Sequence, residues 1–299
     1  MSRTAKWMTV LTCAAIVLSF QCAWAQYGQP RAGATAGTTS VAPMSDVAKA
    51  IKAAADAMGV PRTGGPGGAL LPEIDVVNRM EIWGNGSASA SGQAAKTEYH
   101  AALGYNPPAM RLEMTRAGPG GTAQHSIQTV RDKYAWDESI IGAGLEPGRG
   151  TATPEMAAVK QRLLQLWILP YGVIKAAFAA GDKTTVSMED GAAVLTVPLS
   201  GELAGTTLKA TLDSKNFITK VVATGGGMDI EADYSDYADH GEILTDIKSP
   251  GHIVQKQGGS PVLDIQIKTW DANNPYLVFP IPGSVKNAAA PGQSASRQP

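Results

Sequence analysis

Four histidines are the side chains of this chain best suited to metal binding or to general acid–base chemistry. They are His100, His125, His240 and His252. No two of them stand four residues apart, which is the spacing that lets a helix present two imidazoles to a zinc ion. His100 lies on the polar side of an alternating segment, which is typical of a solvated strand face. We therefore expect no metal site and no cofactor.

Acidic side chains are a second possibility. Asp229, Glu231 and Asp233 alternate with apolar or small residues, and Asp236 and Asp239 follow them. Carboxylates are calcium ligands, so a calcium site is one interpretation. A solvated strand face is the other, and the two-residue period favours it. The chain also lacks the G-x-S-x-G motif of hydrolase nucleophiles, so we expect no catalytic residue and no enzymatic activity.

Apolar residues form the set with the clearest functional meaning. The candidate ligand-binding residues are Met110, Leu112, Met114, Leu163, Trp167 and Met228. Methionine is flexible and polarisable, so it suits a cavity that accepts flexible chains. The same residues can equally fill a core, because a lipid pocket and a core look alike in sequence. In either case, burial of each side chain contributes about 1.5–3 kcal/mol.

Helices are predicted in two regions of the chain. Over 45–59, apolar residues recur at the spacing of one helical face. The residues Thr-Pro-Glu at 153–155 are a typical helix start, and the segment 156–169 that follows is apolar around most of its circumference. Pro170 breaks it, and a second helical piece is predicted over 171–180. A helix this apolar must be covered on most sides.

Most of the remaining chain shows the two-residue period of strands with one buried face. Met110, Leu112 and Met114, for example, alternate with Arg111 and Glu113. Sequential strands joined by short Gly-, Asp- and Asn-containing turns predict an antiparallel meander. About a dozen such strands exceed what an open twisted sheet holds comfortably, so we expect the sheet to curl. The two mid-chain helices are placed to cover its concave face.

The first 25 residues have the pattern of a secretory signal peptide. Arg3 and Lys6 precede a short apolar stretch, and Ala23 and Ala25 supply the small residues that a signal peptidase requires. The stretch is too short to span a bilayer, so we expect no stable membrane span. A lipoprotein signal ending at Cys22 is disfavoured, because the residues before it are not small. Cleavage after Ala25 predicts a periplasmic protein without cysteines.

The rest of the chain divides into a linker, one domain and a tail. Residues 26–44 and 283–299 are rich in small and polar residues, so we expect a flexible linker and a disordered tail. Residues 45–282 form one large β domain in this interpretation. Charged residues make up only 17% of the chain and the net charge is −1. This composition excludes an ordinary nucleic-acid binder, because such a protein needs a basic face.

Several segments resemble, in order, the LolA/LolB superfamily of periplasmic lipoprotein carriers. Residues 106–113 (NPPAMRLE) are similar to a strand opening of that family. Residues 131–136 (RDKYAW) resemble its Asp-Gly-Lys hairpin, although no glycine follows Asp132, and 278–282 (VFPIP) resemble its closing segment. The resemblance extends over 74–282. It implies an unclosed β half-barrel with helices as a lid over an apolar cavity, which in the carriers holds acyl chains.

These observations lead to one functional hypothesis and two alternatives. We expect an exported protein, mainly β, that binds a hydrophobic ligand, either a lipid or a lipoprotein acyl chain, between a curled sheet and a helical lid. An envelope scaffold that binds a partner protein is the first alternative, and it would show an exposed apolar patch on the convex side. A hydrolase is the second, and it would need His125 or His252 within reach of an aspartate and a serine.

Overall fold

The computed structural model describes residues 46–59, 77–90, 93–227, 229–239, 247–272 and 274–288. The expected signal peptide, the expected linker and the candidate ligand-binding residue Met228 lie outside these residues, as does His240.

The described chain is dominated by β-strands, with four helices. The strands are β1 (Arg79–Ala90), β2 (Gln93–Tyr105), β3 (Pro108–Ala117), β4 (Ala123–Arg131), β5 (Tyr134–Glu138), β6 (Ala152–Pro154), β7 (Thr185–Glu189), β8 (Ala192–Pro198), β9 (Thr207–Leu212), β10 (Ile218–Thr224), β11 (Ile230–Ser235), β12 (Ala238–Asp239), β13 (Lys248–Ser249), β14 (His252–Gln257) and β15 (Ser260–Ala272). The helices are α1 (Asp46–Ala57), α2 (Val159–Trp167), α3 (Pro170–Ala180) and α4 (Gly283–Ala288).

Thirteen of these strands form one antiparallel sheet in the order β6-β5-β4-β3-β2-β1-β15-β14-β11-β10-β9-β8-β7. Neighbours in the sheet are mostly neighbours in sequence, so the predicted meander is confirmed. Two long-range pairings complete it: β1 pairs with β15, and β11 pairs with β14. The strands β6 and β7 are opposite edges, so the sheet is curled but not closed, as expected.

Helices α2 and α3 connect these two edges. Helix α2 packs against β3, β4 and β5, whereas α3 packs against β8 and against α1. The pair therefore crosses one face of the sheet, which we call the inner face, and confirms the expected helical cover. Ile51 and Ala54 of α1 are buried, as is Met58 directly after the helix, and these residues belong to the stripe that the sequence predicts.

The start of α2 differs from the sequence-based prediction. The Thr-Pro-Glu segment does not open the helix: Thr153 and Pro154 belong to β6, where they pair with Asp137 and Trp136. The regular helix begins only at Val159. Pairing at the sheet edge satisfies backbone groups that a helical first turn would leave without partners, so the strand forms in place of the predicted helix start.

Side chains of the inner face and of α1–α3 form one continuous core. Its largest fully buried members include Met58, Met80, Ile82, Leu103, Tyr171, Leu164, Leu166, Ile168, Ile174, Leu195 and Leu208. Much of the space between sheet and helices is therefore filled by side chains. Cavities lie beside this core.

The C-terminal end is ordered further than predicted. The expected tail from Gly283 instead begins with α4, in which Val285 is fully buried against Trp136 and Ala152. The segment before it crosses the other face of the sheet, here called the outer face, where Phe279 packs on Ala102. A single apolar side chain that finds a pocket is enough to order a short segment of small residues.

Among the described helices, none alone has the length and apolarity needed to cross a bilayer; the segments Met156–Trp167 and Pro170–Lys183 together have them, with a bend of 97° between the two.

Candidate functional site

Helix α2 separates two cavities that lie between it and the rest of the domain. The larger, which we call the large cavity, has a volume of about 700 Å³. Its apolar wall consists of Leu163, Trp167, Ala176, Ala180, Leu199 and Leu203. Helices α2 and α3 supply four of these residues, and the connection between β8 and β9 supplies the other two. The volume lies within the range of small-molecule binding sites.

The rim of the large cavity is charged. Asp132 and Lys133 stand on the turn between β4 and β5, Lys183 follows α3, and Glu202 lies between β8 and β9. All four side chains are exposed. An apolar wall with a polar, mixed-charge rim can bury an apolar ligand while leaving a polar end of that ligand in water.

Aromatic packing supports the position of Trp167. Its ring meets that of Tyr105 at a centroid distance of 5.8 Å and an angle of 60°, an edge-to-face type of contact. Burial raises the pKa of Tyr105, so its phenol stays protonated. Lys175 places its ammonium 5.4 Å from the centre of the same ring. These contacts hold Trp167 as a fixed wall.

The smaller cavity, here called the glutamine pocket, has a volume of about 240 Å³ and lies on the other side of α2. Most of its polar lining consists of Arg116, Gln128, Gln161, Gln165, Gln255 and Gln257, and Ser89 of β1 completes it. Its apolar base includes Tyr99, Met110, Leu112, Met114, Ile230 and Leu263. The strands β3, β4 and β14 and helix α2 position the polar groups.

The sequence-predicted ligand-binding residues thus do not share one cavity. Leu163 and Trp167 line the large cavity, whereas Met110, Leu112 and Met114 line the glutamine pocket. The reason is geometric, because residues four apart on a helix share a side and residues two apart point about 200° from each other. Leu163 and Trp167 therefore face away from the glutamines at positions 161 and 165.

Arg162 fixes α2 to the sheet. Its Nη1 donates to the backbone carbonyls of Thr129 at 3.1 Å and Trp136 at 2.7 Å, and its Nη2 donates to Oδ1 of Asp137 at 2.6 Å. The side chain is 7% exposed. Charged groups this well buried are normally paired, as here. The sequence does not single out Arg162; an arginine directly before the apolar residues Leu163 and Leu164 is the signal that was available.

His100 is less exposed than the sequence predicts. Its ring stacks on Trp83 with a centroid distance of 4.8 Å. Nδ1 lies 3.0 Å from Oε1 of Glu113, and Nε2 lies 3.3 Å from Oε1 of Glu81. Burial lowers the pKa of His100, but the two carboxylates outweigh burial, and the net pKa is raised. Direct cross-strand pairing places Trp83 and Glu113 on either side of His100.

The histidines that a hydrolase would use are placed as follows. Nε2 of His252 lies 2.7 Å from Oδ1 of Asp264, and Ser235 stands opposite His252 on the neighbouring strand. The hydroxyl of Ser235 donates to Asp236 at 3.3 Å, however, and not to the imidazole. His125 accepts or donates a hydrogen bond with the Thr115 hydroxyl at 3.1 Å. Neither histidine lines a cavity described here.

Lysine side chains pair with Glu231 and Asp233, two of the acidic residues that the sequence offers as calcium ligands. Lys256 donates to Glu231 at 2.9 Å and to Asp233 at 2.6 Å, and Lys220 lies 2.9 Å from the second oxygen of Glu231. Hydrogen bonds from these lysines lower the pKa of Glu231. Within the described part of the chain, no three or more histidine, cysteine or acidic side chains group as metal ligands. Asp229, Asp236 and Asp239 are exposed.

The outer face carries an exposed group of apolar side chains, here called the outer apolar cluster. It consists of Ile141, Leu145, Tyr276 and Val278, which surround a hollow of about 250 Å³. Tyr276 is 88% exposed and Val278 is 59% exposed. Large exposed apolar side chains gathered in one place are typical of an interaction surface.

Comparison with known proteins gives a fold neighbour only. No protein-family model matches the chain, and no curated protein sequence matches it. The chain is similar in structure to a protein of the DUF1329 family from Desulfovibrio piger, with a TM-score of 0.44 and 7% sequence identity. The similarity covers 77% of this chain and 95% of the other.

Proposed function

We propose that this protein binds a hydrophobic ligand, a lipid or a lipoprotein acyl chain, in the large cavity and without catalysis. We further propose that it is a distant relative of the LolA/LolB-like carriers and that it acts in the periplasm. The observation that supports the proposal is the large cavity itself, an open apolar volume of about 700 Å³ between helices and sheet. An ordinary core leaves few voids larger than a water molecule.

The residues around the large cavity suit this role. Trp167 and Leu163 provide apolar area on the helical side, and Leu199 and Leu203 provide it on the strand side. Apolar area removed from water contributes about 25 cal/mol per Å², so an acyl chain lying along these residues gains affinity without a specific polar contact. The charged rim leaves a headgroup or a peptide in water.

A blocking substitution tests the proposal. Ala179 lines the large cavity and is itself exposed, so Ala179→Trp places a bulky ring across the cavity without removing a core side chain. Ala157→Trp is the matched control, because Ala157 is exposed and lines neither cavity. We expect palmitate to bind the wild type and the control equally in native mass spectrometry, and Ala179→Trp to lose most of the bound ligand.

Two results would contradict the proposal. One is the absence of any lipid or acyl species in organic extracts of protein purified from its own envelope, together with no binding of added palmitate. The other is palmitate binding that Ala179→Trp leaves unchanged. Amino-terminal sequencing of the exported protein tests the compartment separately, since the predicted cleavage gives a chain that begins at Gln26.

A second candidate function is an envelope adaptor, and the outer apolar cluster favours it. In this case a photo-crosslinker at Val278 should capture one partner protein in stoichiometric amount. Tyr276→Ser should abolish the capture. Met188 is 69% exposed on β7, at one edge of the sheet, and a crosslinker there is the control. Equal capture from both positions would exclude a specific partner at this cluster.

A further inference from the structure

The glutamine pocket contains polar groups that the fold itself does not use. Nε of Arg116 and Oε1 of Gln165 are both buried without a hydrogen-bond partner among the described residues. Nη2 of Arg116 lies 3.7 Å from Sδ of Met114, which is a weak acceptor. Buried polar groups are nearly always paired, so two unpaired ones on the same small cavity require an explanation.

The charge of the pocket indicates that its ligand is an anion. Arg116 is the one charged side chain among the described residues that line it, and the lining contains no carboxylate. The other polar members are the hydroxyl groups of Ser89 and Tyr99 and the side-chain amides of the glutamines, and all of these are neutral groups that can both donate and accept. A guanidinium whose Nε has no partner among the described residues presents a positive site to whatever enters the cavity, and its planar fork matches a carboxylate or a phosphate.

The base and the volume of the pocket limit the apolar part that an anionic ligand can carry. Met110 and Met114 lie beneath the polar groups and are nearly fully buried. Their flexible side chains suit a short apolar segment of variable shape. The volume of about 240 Å³ is below the range typical of drug-sized ligands, so the occupant is compact.

We propose that the glutamine pocket is a second binding site, separate from the large cavity, for a small single-chain organic anion. Arg116 binds the carboxylate or phosphate of this ligand. Gln165 and Gln255 hydrogen-bond its neutral polar atoms, and Met110 and Met114 contact its short apolar part. This site does not depend on what fills the large cavity, because α2 lies between the two.

Calorimetric titration with small probes tests the site. The probes are hexyl phosphate, hexanoate, inorganic phosphate and the neutral analogue hexanol. In the Ala179→Trp variant, whose large cavity is blocked, we expect hexyl phosphate or hexanoate to bind, inorganic phosphate to bind more weakly because it lacks the apolar segment, and hexanol not to bind. Hexanol binding as tightly as hexanoate would overturn the proposal. So would tighter binding of dihexanoyl phosphatidylglycerol than of hexyl phosphate, which would place a two-chain lipid headgroup at the site.

Two substitutions separate a ligand site from a structural role. Arg116→Gln should weaken the charged probes about 10- to 100-fold, as loss of a hydrogen bond to a charged group does. Arg149→Gln is the control, because Arg149 is an exposed loop arginine that does not line the pocket. Unchanged probe affinity in Arg116→Gln would refute the assignment.

Ligand-free stability provides the second readout. Gln165→Leu removes a buried acceptor that has no partner among the described residues, so it should raise the thermal midpoint of the ligand-free protein. A lowered ligand-free midpoint in both Gln165→Leu and Arg116→Gln would show that these groups stabilise the fold, and it would overturn the proposal.

Discussion

Replacement of Arg162 by leucine should loosen the helix that forms the wall of both cavities. The substitution puts an apolar side chain in the space of the arginine stem and removes the three hydrogen bonds of Arg162 that join α2 to β4 and β5. Because Arg162 lies between Leu163 and Gln161, the effect should reach the ligand-binding residues on either side of the helix.

The expected cost follows from the partners that are left behind. The carbonyls of Thr129 and Trp136 belong to residues that are each 1% exposed, and loss of a charged hydrogen-bond donor to such a buried acceptor costs about 1–3 kcal/mol. Two such acceptors give about 3 kcal/mol. The side chain of Asp137 is 46% exposed, so water can replace its partner, and its share should stay below about 1 kcal/mol.

Urea unfolding of three variants measures the contributions of the carbonyls and of Asp137 to the free energy of unfolding. Arg162→Leu should lower the midpoint by about 1 M, given a slope of about 3 kcal/mol/M for a domain of this size. Asp137→Asn should lower it by less than a third of that amount, and the double variant should resemble Arg162→Leu alone. Equal losses in the two single variants would refute the reasoning, because the ion pair and not the carbonyls would then dominate.

Two further predictions concern the outer face and the C-terminal helix. The carboxylate partners of His100 raise its pKa, so the stabilisation they provide is fully present below the ordinary histidine pKa and is lost as pH rises through the raised value. His100→Gln should therefore lower the thermal midpoint more at about pH 5.5 than at about pH 8.5. An equal loss at both pH values would contradict protonation of His100. Val285→Ala should lower the free energy of unfolding by about 2 kcal/mol, since Val285 is fully buried. Lys286→Ala, on the exposed side of the same helix, should leave it unchanged. An unchanged free energy of unfolding in Val285→Ala would mean that α4 does not pack against the sheet.

Much of the fold follows from local sequence patterns. Met110, Leu112 and Met114 alternate with charged residues, and the structure places them together on the inner face. The apolar segment after residue 155 is a covered helix, as its composition predicts. Such patterns are reliable because the two-residue period of a strand and the 3.6-residue period of a helix decide locally which side chains share a face.

The candidate site was only partly predictable. The sequence assigned Leu163 and Met110 to one cavity, and the structure places them on opposite sides of α2. The polar half of the glutamine pocket comes from β3, β4, α2 and β14, which are far apart in sequence. Its members are ordinary polar residues in their own segments. They can be recognised as a site only where they come together in space, and that depends on the order of the strands in the sheet.

The sequence by itself therefore determined the kinds of elements, the inward faces of the strands and the need to cover an apolar helix. The tertiary structure decided which of those faces meet. The pairing of β1 with β15 and the crossing of α2 over the inner face are long-range choices, made by the combined burial of many side chains. The same choices left one part of the interior filled as core and two parts open as cavities.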